Sequence, residues 1–472
     1  MNIVESSAIG GDASSPPSSF PRRREPINSH VRTSCGSENM GPRLRGNDEE
    51  KRDSERKGRG PELITLGCRL NIAESETIRT LAHDQDDLII VNSCAVTAEA
   101  VRQTRKAIRK AARARPDARI VVTGCAAQTE PQTFAAMPEV ARVLGNADKQ
   151  QAALFRFVPE PSADIRVSDI MALRETAPHL VSGFTDHARA FVEVQNGCDH
   201  RCTFCVIPYG RGNSRSVPAG AVIDRIAALV DLGYAEIVLT GVDLTSYGPD
   251  LPGAPSLGSL VERILRHVPG LKRLRLSSLD SVEIDDRLFD LLTGERRVMP
   301  HLHLSLQAGD DMILKRMKRR HSRAEAVAIV ERLKAKRPDI AIGADLIAGF
   351  PTEDEAMFDN SLRLIDDCDI VFGHVFPYSP RAGTPAARMP QVDLATIRGR
   401  AKRLREAAER RQAAWERSLD GTIQNVLVER GGAGHAENFA RVQLPDATGD
   451  MIGTVIRAQI DAGSGTLTGT MI

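Results

Sequence analysis

Three short apolar runs each end in a cysteine: Leu63-Ile-Thr-Leu-Gly-Cys68, Leu88-Ile-Ile-Val-Asn-Ser-Cys94 and Ile120-Val-Val-Thr-Gly-Cys125. They lack polar alternation, which predicts strands buried on both faces, as in a parallel sheet. From about Ala98 to Arg115 the period changes. Val101, Thr104, Ile108 and Ala111 recur at helical spacing, while Arg102, Arg105, Lys106, Arg109 and Arg113 fall on another face. The resulting β-α-β unit returns the chain to the same sheet. Cys68, Cys94 and Cys125 then emerge together at the carboxyl ends of neighbouring strands, where open α/β sheets hold their ligands.

Residues 159–187 have little periodicity and read as a linker. Six further apolar segments then alternate with helical stretches: Ala190–Gln195, Glu236–Thr240, Arg273–Ser277, His301–Leu306, Ile340–Ile347 and Ile370–Phe376. This alternation predicts a parallel (β/α) barrel, partial because six units fall short of eight, with its chemistry on the loops after the strands. A basic amphipathic helix follows from about Leu394 to Leu419. After Gly421, short alternating segments (Ile423–Val428, Phe439–Gln443, Thr454–Ile460) between Gly-rich turns predict a small β-barrel. The expected fold class is therefore α/β. An N-terminal open parallel α/β domain spans 61–165, a central partial (β/α)6 barrel 184–415, and a small C-terminal β domain 416–472. Residues 1–60 hold one aromatic, Phe20, among clusters of Ser, Pro and Gly, and are expected to be a disordered extension.

Length and charge change the picture only by exclusion. At about 150 residues per domain, 472 residues suit roughly three domains and exclude a single small binding module. A net charge of +1 gives no support for a histone-like or polybasic nucleic-acid binder, so any RNA contact must come from local patches. The chain has neither a run of about 18 apolar residues nor the basic-then-apolar order of a signal peptide, which leads to the expectation of a soluble cytoplasmic protein with no membrane partner.

In a reducing compartment the 8 cysteines are expected to be ligands or catalytic groups rather than disulfides. Cys198-x-x-x-Cys202-x-x-Cys205 presents three thiolates from one short loop. A structural zinc site wants four ligands, and an electron-transfer iron–sulfur cluster normally has four cysteines. Three would leave one iron of a 4Fe-4S cluster open. An open iron can chelate the amino and carboxylate groups of S-adenosylmethionine, whose sulfonium is cleaved by one electron to give a carbon radical. The competing reading is zinc with His200 as fourth ligand, in a non-catalytic RNA-binding protein. Cys35 lies in the extension, and Cys368, in a helical stretch, is expected to be structural.

The segment Asn196-Gly-Cys-Asp-His-Arg-Cys-Thr-Phe-Cys-Val-Ile-Pro-Tyr-Gly-Arg-Gly212, with Cys68, Cys94 and Cys125 upstream, resembles the methylthiotransferase family of the radical S-adenosylmethionine superfamily. The resemblance runs from about residue 62 to the end. It implies two 4Fe-4S clusters, one on Cys198, Cys202 and Cys205 and one on Cys68, Cys94 and Cys125. It also implies two uses of S-adenosylmethionine, one to methylate a sulfur at the upstream cluster and one to generate a deoxyadenosyl radical that removes a hydrogen from an unactivated carbon. Such a C–H bond is too weak an acid for side-chain general bases, so no acid/base residue is expected. Leu239–Gly248, His303–Gly309 and Asp345–Pro351 resemble cofactor-contacting turns, which points to Gly241, Gln307 and Gly349, with Phe204 beside the adenine or packing the loop. His301 and His303 are expected to be core or supporting residues.

The segments Thr65–Asn71, Asn92–Ala100, Leu239–Asp243 and Arg273–Ser278 most resemble the branch that acts on N6-threonylcarbamoyladenosine at position 37 of tRNA. Other branches act on isopentenyladenosine in tRNA or on an aspartate of a ribosomal protein. The resemblance further implies tRNA and an electron donor of flavodoxin or ferredoxin type as partners, and a TRAM-like C-terminal module. Residues 421–472 hold three basic and five acidic residues, so the better phosphate-binding candidates are the basic face of the 98–115 helix and the Arg398–Arg411 stretch, which includes Arg400, Lys402, Arg403, Arg405 and Arg410.

Overall fold

The computed structural model describes residues 60–156, 163–174, 184, 187–463 and 465–472. The predicted extension, with Cys35, and much of the 159–187 linker lie outside the described residues. Five parallel strands open the fold: β1 (Glu62–Thr65), β2 (Leu88–Ser93), β3 (Arg119–Gly124), β4 (Val140–Leu144) and β5 (Asp164–Arg166), side by side in that order. The three cysteine-ended runs are the adjacent strands β1 to β3, and every residue of β2 is buried. Helix α1 (Arg69–Leu81) starts directly after Cys68, and α2 (Ala98–Ala114) follows β2. Thr97 caps α2 by accepting from the Ala100 N–H, and Val101, Thr104, Ile108 and Ala111 form its buried stripe. The linker reading needs one correction. β5 lies inside it, because three residues with the sequence Asp-Ile-Arg are too few to carry a period.

The second layer is the six-stave barrel, made of β6 (Ala190–Glu193), β9 (Glu236–Thr240), β10 (Arg273–Leu276) with β11 (Ser278–Leu279), β12 (His301–Gln307), β13 (Ala341–Ala348) and β14 (Ile370–Pro377), all parallel. β10 and β11 are halves of one stave broken at Ser277, whose N–H donates to the Leu239 carbonyl at 3.0 Å. A two-residue ribbon, β7 (Gln195–Asn196) with antiparallel β8 (Arg215–Ser216), closes the base of the loop after β6. Helix α1 packs along β6. The helix Leu394–Ser418 packs along β14 so closely that a Cβ at Gly373 would lie 2.6 Å from the Ala408 Cβ. That helix runs through the expected boundary at 415/416.

The C-terminal module is a closed barrel of β15 (Ile423–Glu429), β16 (Ala433–Ala436), β17 (Arg441–Gln443), β18 (Val455–Asp461) and β19 (Thr468–Met471). β16 and β19 were not expected, since Ala-Gly-His-Ala and Thr-Gly-Thr-Met offer no large apolar alternation. Between β16 and β17, Phe439 adopts a left-handed φ of 71°. Its ring meets His301 at 4.7 Å and Phe372 at 6.1 Å, on β12 and β14, and so floors the larger barrel. Among the described residues, no helix is long and apolar enough to cross a membrane.

Candidate functional site

Cys68 precedes α1, Cys94 follows β2, and Cys125 opens the short helix after β3. Strand adjacency thus brings together three thiols far apart in sequence. Gly67 turns with a φ of 105°, and a Cβ there would lie 2.9 Å from the Cys94 Cβ and 3.2 Å from its Sγ. Gly67→Ala is therefore expected to displace Cys94 and halve the iron that the reconstituted protein retains, measured by iron analysis; full retention would show that the turn has slack. Burial pushes the Cys94 thiol up to about 11.

Sequence reasoning assigned no role to the polar network behind these thiols. Asn71 donates to the carbonyls of Leu66 at 2.7 Å and Ser93 at 3.1 Å, clamping β1 to β2. Buried Arg211 places Nε 3.1 Å from the Cys125 Sγ, Nη1 2.7 Å from Glu74 and Nη2 2.6 Å from the Asn71 Oδ1. Lys149, also buried, lies 2.7 Å from the other oxygen of Glu74 and donates to Asn146 at 2.7 Å. Burial alone would raise the Glu74 carboxyl, but Arg211 and Lys149 beside it hold it below the usual carboxylate range.

Cys198, Cys202 and Cys205 occupy the loop after β6, at the carboxyl ends of the staves. Gln195 fixes its base: Nε2 donates to the Gly197 carbonyl at 2.8 Å and to the Ser214 hydroxyl at 2.9 Å, and Oε1 accepts from the Asp243 N–H at 2.9 Å. The Cys198 Sγ lies 3.5 Å from Asp243, and Arg319 reaches within 3.7 Å of the Cys202 Sγ. Burial pushes the Cys205 thiol up to about 12. Beyond Cys205 the loop becomes the helix Ile207–Arg211, which carries Arg211 back to Cys125; a Cβ at Gly210 would lie 3.3 Å from the Cys125 Cβ. The two cysteine sets therefore adjoin across this helix. Among the described residues, Cys198, His200 and Asp243 also offer donor atoms within 4.8 Å of one another, with the His200 Nε2 2.9 Å from Asp243. Cys368 is buried at the end of the helix Glu355–Asp367, apart from both sets.

Gly241, Gln307 and Gly349 lie at the ends of β9, β12 and β13, on the side of the triplet loop. Phe204 packs edge-on against Phe350 at 6.4 Å. Gly349, at φ 72°, has a structural reason to be glycine, because a Cβ would lie 2.5 Å from the Ile397 side chain. His301 and His303 are buried, and His303 lies 2.9 Å from Asp345. In the Arg398–Arg411 stretch some cations are taken up by carboxylates, while Arg398, Arg405 and Arg410 are exposed. Arg400 is buried against Glu353, Arg403 pairs with Glu355 and Asp359, and Arg411 pairs with Asp369. On α2, likewise, Arg102 pairs with Glu99 and Arg109 with Glu139, while Arg105, Lys106 and Lys110 are exposed.

Comparison with known proteins agrees with this geometry. The radical SAM superfamily matches residues 192–365, and the family described as uncharacterized protein family UPF0004 matches residues 62–145. A threonylcarbamoyladenosine tRNA methylthiotransferase MtaB from Rickettsia prowazekii is 48% identical over 84% of this chain and 94% of its own length. The chain belongs to the MtaB family of tRNA methylthiotransferases. The MtaB of Bacillus subtilis is 34% identical over 84% of this chain and 92% of its own length. A tRNA-2-methylthio-N(6)-dimethylallyladenosine synthase from Erythrobacter litoralis is 31% identical over 86% of this chain and 96% of its own. The radical S-adenosylmethionine methyltransferase TsrM of Kitasatospora setae shares the fold, with TM-score 0.50 and 15% identity over 69% of this chain and 76% of that one. As an MtaB-family radical SAM enzyme, the chain uses S-adenosylmethionine and 4Fe-4S clusters. The donor set fits them: two groups of three thiols, each group backed by a guanidinium.

Proposed function

We propose that this chain places a methylthio group on C2 of N6-threonylcarbamoyladenosine at position 37 of tRNA. The observation that carries the reading is the meeting of two three-thiol sets across Arg211 in a chain 48% identical to an MtaB over nearly the whole of that relative. In this reading Cys198, Cys202 and Cys205 hold one cluster, and Cys68, Cys94 and Cys125 hold the other. When bound, each cluster supplies an iron without a protein ligand, one for chelating S-adenosylmethionine ahead of one-electron cleavage and one for carrying sulfur.

The protein's own residues hold and enclose these parts. Gln195 sets the shape of the triplet loop, and Asp243 and Arg319 flank its thiols. Phe204, Gly241, Gln307 and Gly349 line the cofactor at the ends of the staves. Phe439 closes the opposite end of the barrel against water. The three domains divide the work: the sheet at 61–165 carries the sulfur-bearing cluster, the barrel at 184–415 generates the radical, and the TRAM-like module at 416–472 floors the barrel. Arg105 and Lys106 on α2 meet the tRNA backbone. A cytoplasmic flavodoxin-type or ferredoxin-type protein delivers the electron.

The test is mass spectrometry of tRNA nucleosides from a strain lacking the gene, from its parent and from the strain complemented with residues 62–472. The expected result is loss of methylthio-threonylcarbamoyladenosine, accumulation of its precursor and full restoration by the short form. An unchanged threonylcarbamoyladenosine profile with loss of methylthio-isopentenyladenosine would reassign the substrate.

A further inference from the structure

Among the described residues, the lumen of the six-stave barrel is rich in ionisable side chains, most of them held in close pairs. Alternation along the staves turns Glu236, Arg273 and Arg275, His301 and His303, Asp345, and Phe372 and His374 toward it. Glu236 is paired with Arg189 at 3.3 Å and with Arg275 at 2.9 Å. Asp345 is paired with His303 at 2.9 Å and His374 at 3.4 Å. One cation has no such partner. Arg69, which follows Cys68 on α1, reaches in from the N-terminal sheet until its guanidinium lies 5.6 Å from the centre of the Phe439 ring. The same ring carries Arg275 at 4.8 Å and Arg189 at 5.4 Å. Arg69 makes no hydrogen bond and no ion pair with any described residue, although its two guanidinium neighbours each have a carboxylate. Desolvating a guanidinium in so positive a surrounding leaves five donors waiting for an anion.

We infer that Arg69 binds the carboxylate of the threonyl group of the substrate nucleoside and so selects a carboxylate-bearing N6 substituent. This deepens the proposed function and rests on it. Arg69 is adjacent to Cys68, which places the anion site between the sulfur-bearing edge of the sheet and the barrel floor. Position and chemistry agree. A planar fork of donors matches a carboxylate in two parallel hydrogen bonds. A site with an unpartnered cation also rejects an uncharged N6 substituent, because binding it would bury the guanidinium unpaired. Glu236 and Asp345, the carboxylates whose charge acts on Arg69, each make their close contacts with other side chains.

The test uses the full-length, cluster-reconstituted protein and two anticodon stem-loop RNAs. One carries threonylcarbamoyladenosine, and the other carries its primary carboxamide, which is isosteric and uncharged. Wild-type protein is expected to bind the carboxylate RNA about tenfold or more tightly than the carboxamide RNA, and Arg69→Gln to bind the two within a factor of about two of each other. Arg69→Lys, which keeps the charge and loses the fork, should fall between them. Iron content of each variant reports whether Cys68 still holds its cluster, and the wild-type comparison of the two RNAs needs no variant at all. Equal wild-type binding of the two RNAs would overturn the inference. So would a loss of affinity in Arg69→Gln that is the same for both RNAs, since that pattern belongs to a phosphate contact. If the wild type forms no methylthiolated product from the carboxylate RNA, the functional reading itself fails. Product formation without discrimination would fail the Arg69 assignment alone.

Discussion

Cys198→Ala is expected to abolish both formation of 5′-deoxyadenosine from S-adenosylmethionine and methylthiolation of tRNA, whereas Cys68→Ala is expected to abolish methylthiolation while deoxyadenosine still forms. Each variant should retain about half the wild-type iron, because each breaks one three-thiol set and leaves the other complete. The separation follows from which elements carry the thiols. Cys198 is on the barrel loop shaped by Gln195 and flanked by Asp243, contacts that do not involve Cys68. Cys68 is on the sheet, where Asn71 clamps the turn that presents it. Two measurements on one preparation, deoxyadenosine by chromatography and methylthio product by mass spectrometry, separate the roles. Deoxyadenosine at wild-type rate in Cys198→Ala would overturn the assignment of the triplet as the radical site. Cys368→Ala is the control. It lies in the core at a helix end away from both sets, and should retain full iron and activity with only slightly lower thermal stability.

Much of this was legible in the sequence because the relevant signals are local. The all-apolar run of β2, the stripe on α2 and the six staves are periodic over segments long enough to be read one at a time. The cysteine spacing gave the count of thiols, and strand adjacency gave their convergence. Contacts made across long separations were not legible. Arg211 meets Glu74 across 137 residues, and a lone Arg after Tyr-Gly gives no local sign of a buried partner. In the Arg398–Arg411 stretch the charge run does not reveal which arginines a carboxylate folds against: Arg400 and Arg403 meet Glu353 and Glu355, while Arg398, Arg405 and Arg410 stay exposed. Gly349 looked like a cofactor turn, and packing against Ile397 explains the missing Cβ equally well. Phe439 was counted in a strand, whereas its left-handed backbone carries the ring out of the small barrel and into the large one.

Arg211→Met tests whether the two halves of the site are held together by the buried network. Arg211 touches α1 through Glu74 and Asn71, the upstream thiols through Cys125, and its own triplet loop through the backbone. Methionine keeps the apolar stem and removes five donors. Glu74 would then keep only Lys149 as a charge partner, and the Asn71 Oδ1 would lose its 2.6 Å donor, both in a buried setting. Removing one member of such a buried network costs about 3–5 kcal/mol. The expected result is a lower urea midpoint for the apo-protein together with faster loss of iron from the reconstituted protein, of which the second is the diagnostic part. A purely structural role would lower the midpoint and leave iron retention unchanged once the protein is folded. Arg211→Lys restores the charge, yet an ammonium cannot reach Glu74, Asn71 and Cys125 from one position as the guanidinium fork does, so rescue should be partial. Wild-type iron retention in Arg211→Met would mean that the thiols of the sheet are positioned by the strand ends alone, and that the coupling between sheet and barrel runs through the packing of α1 on β6 instead.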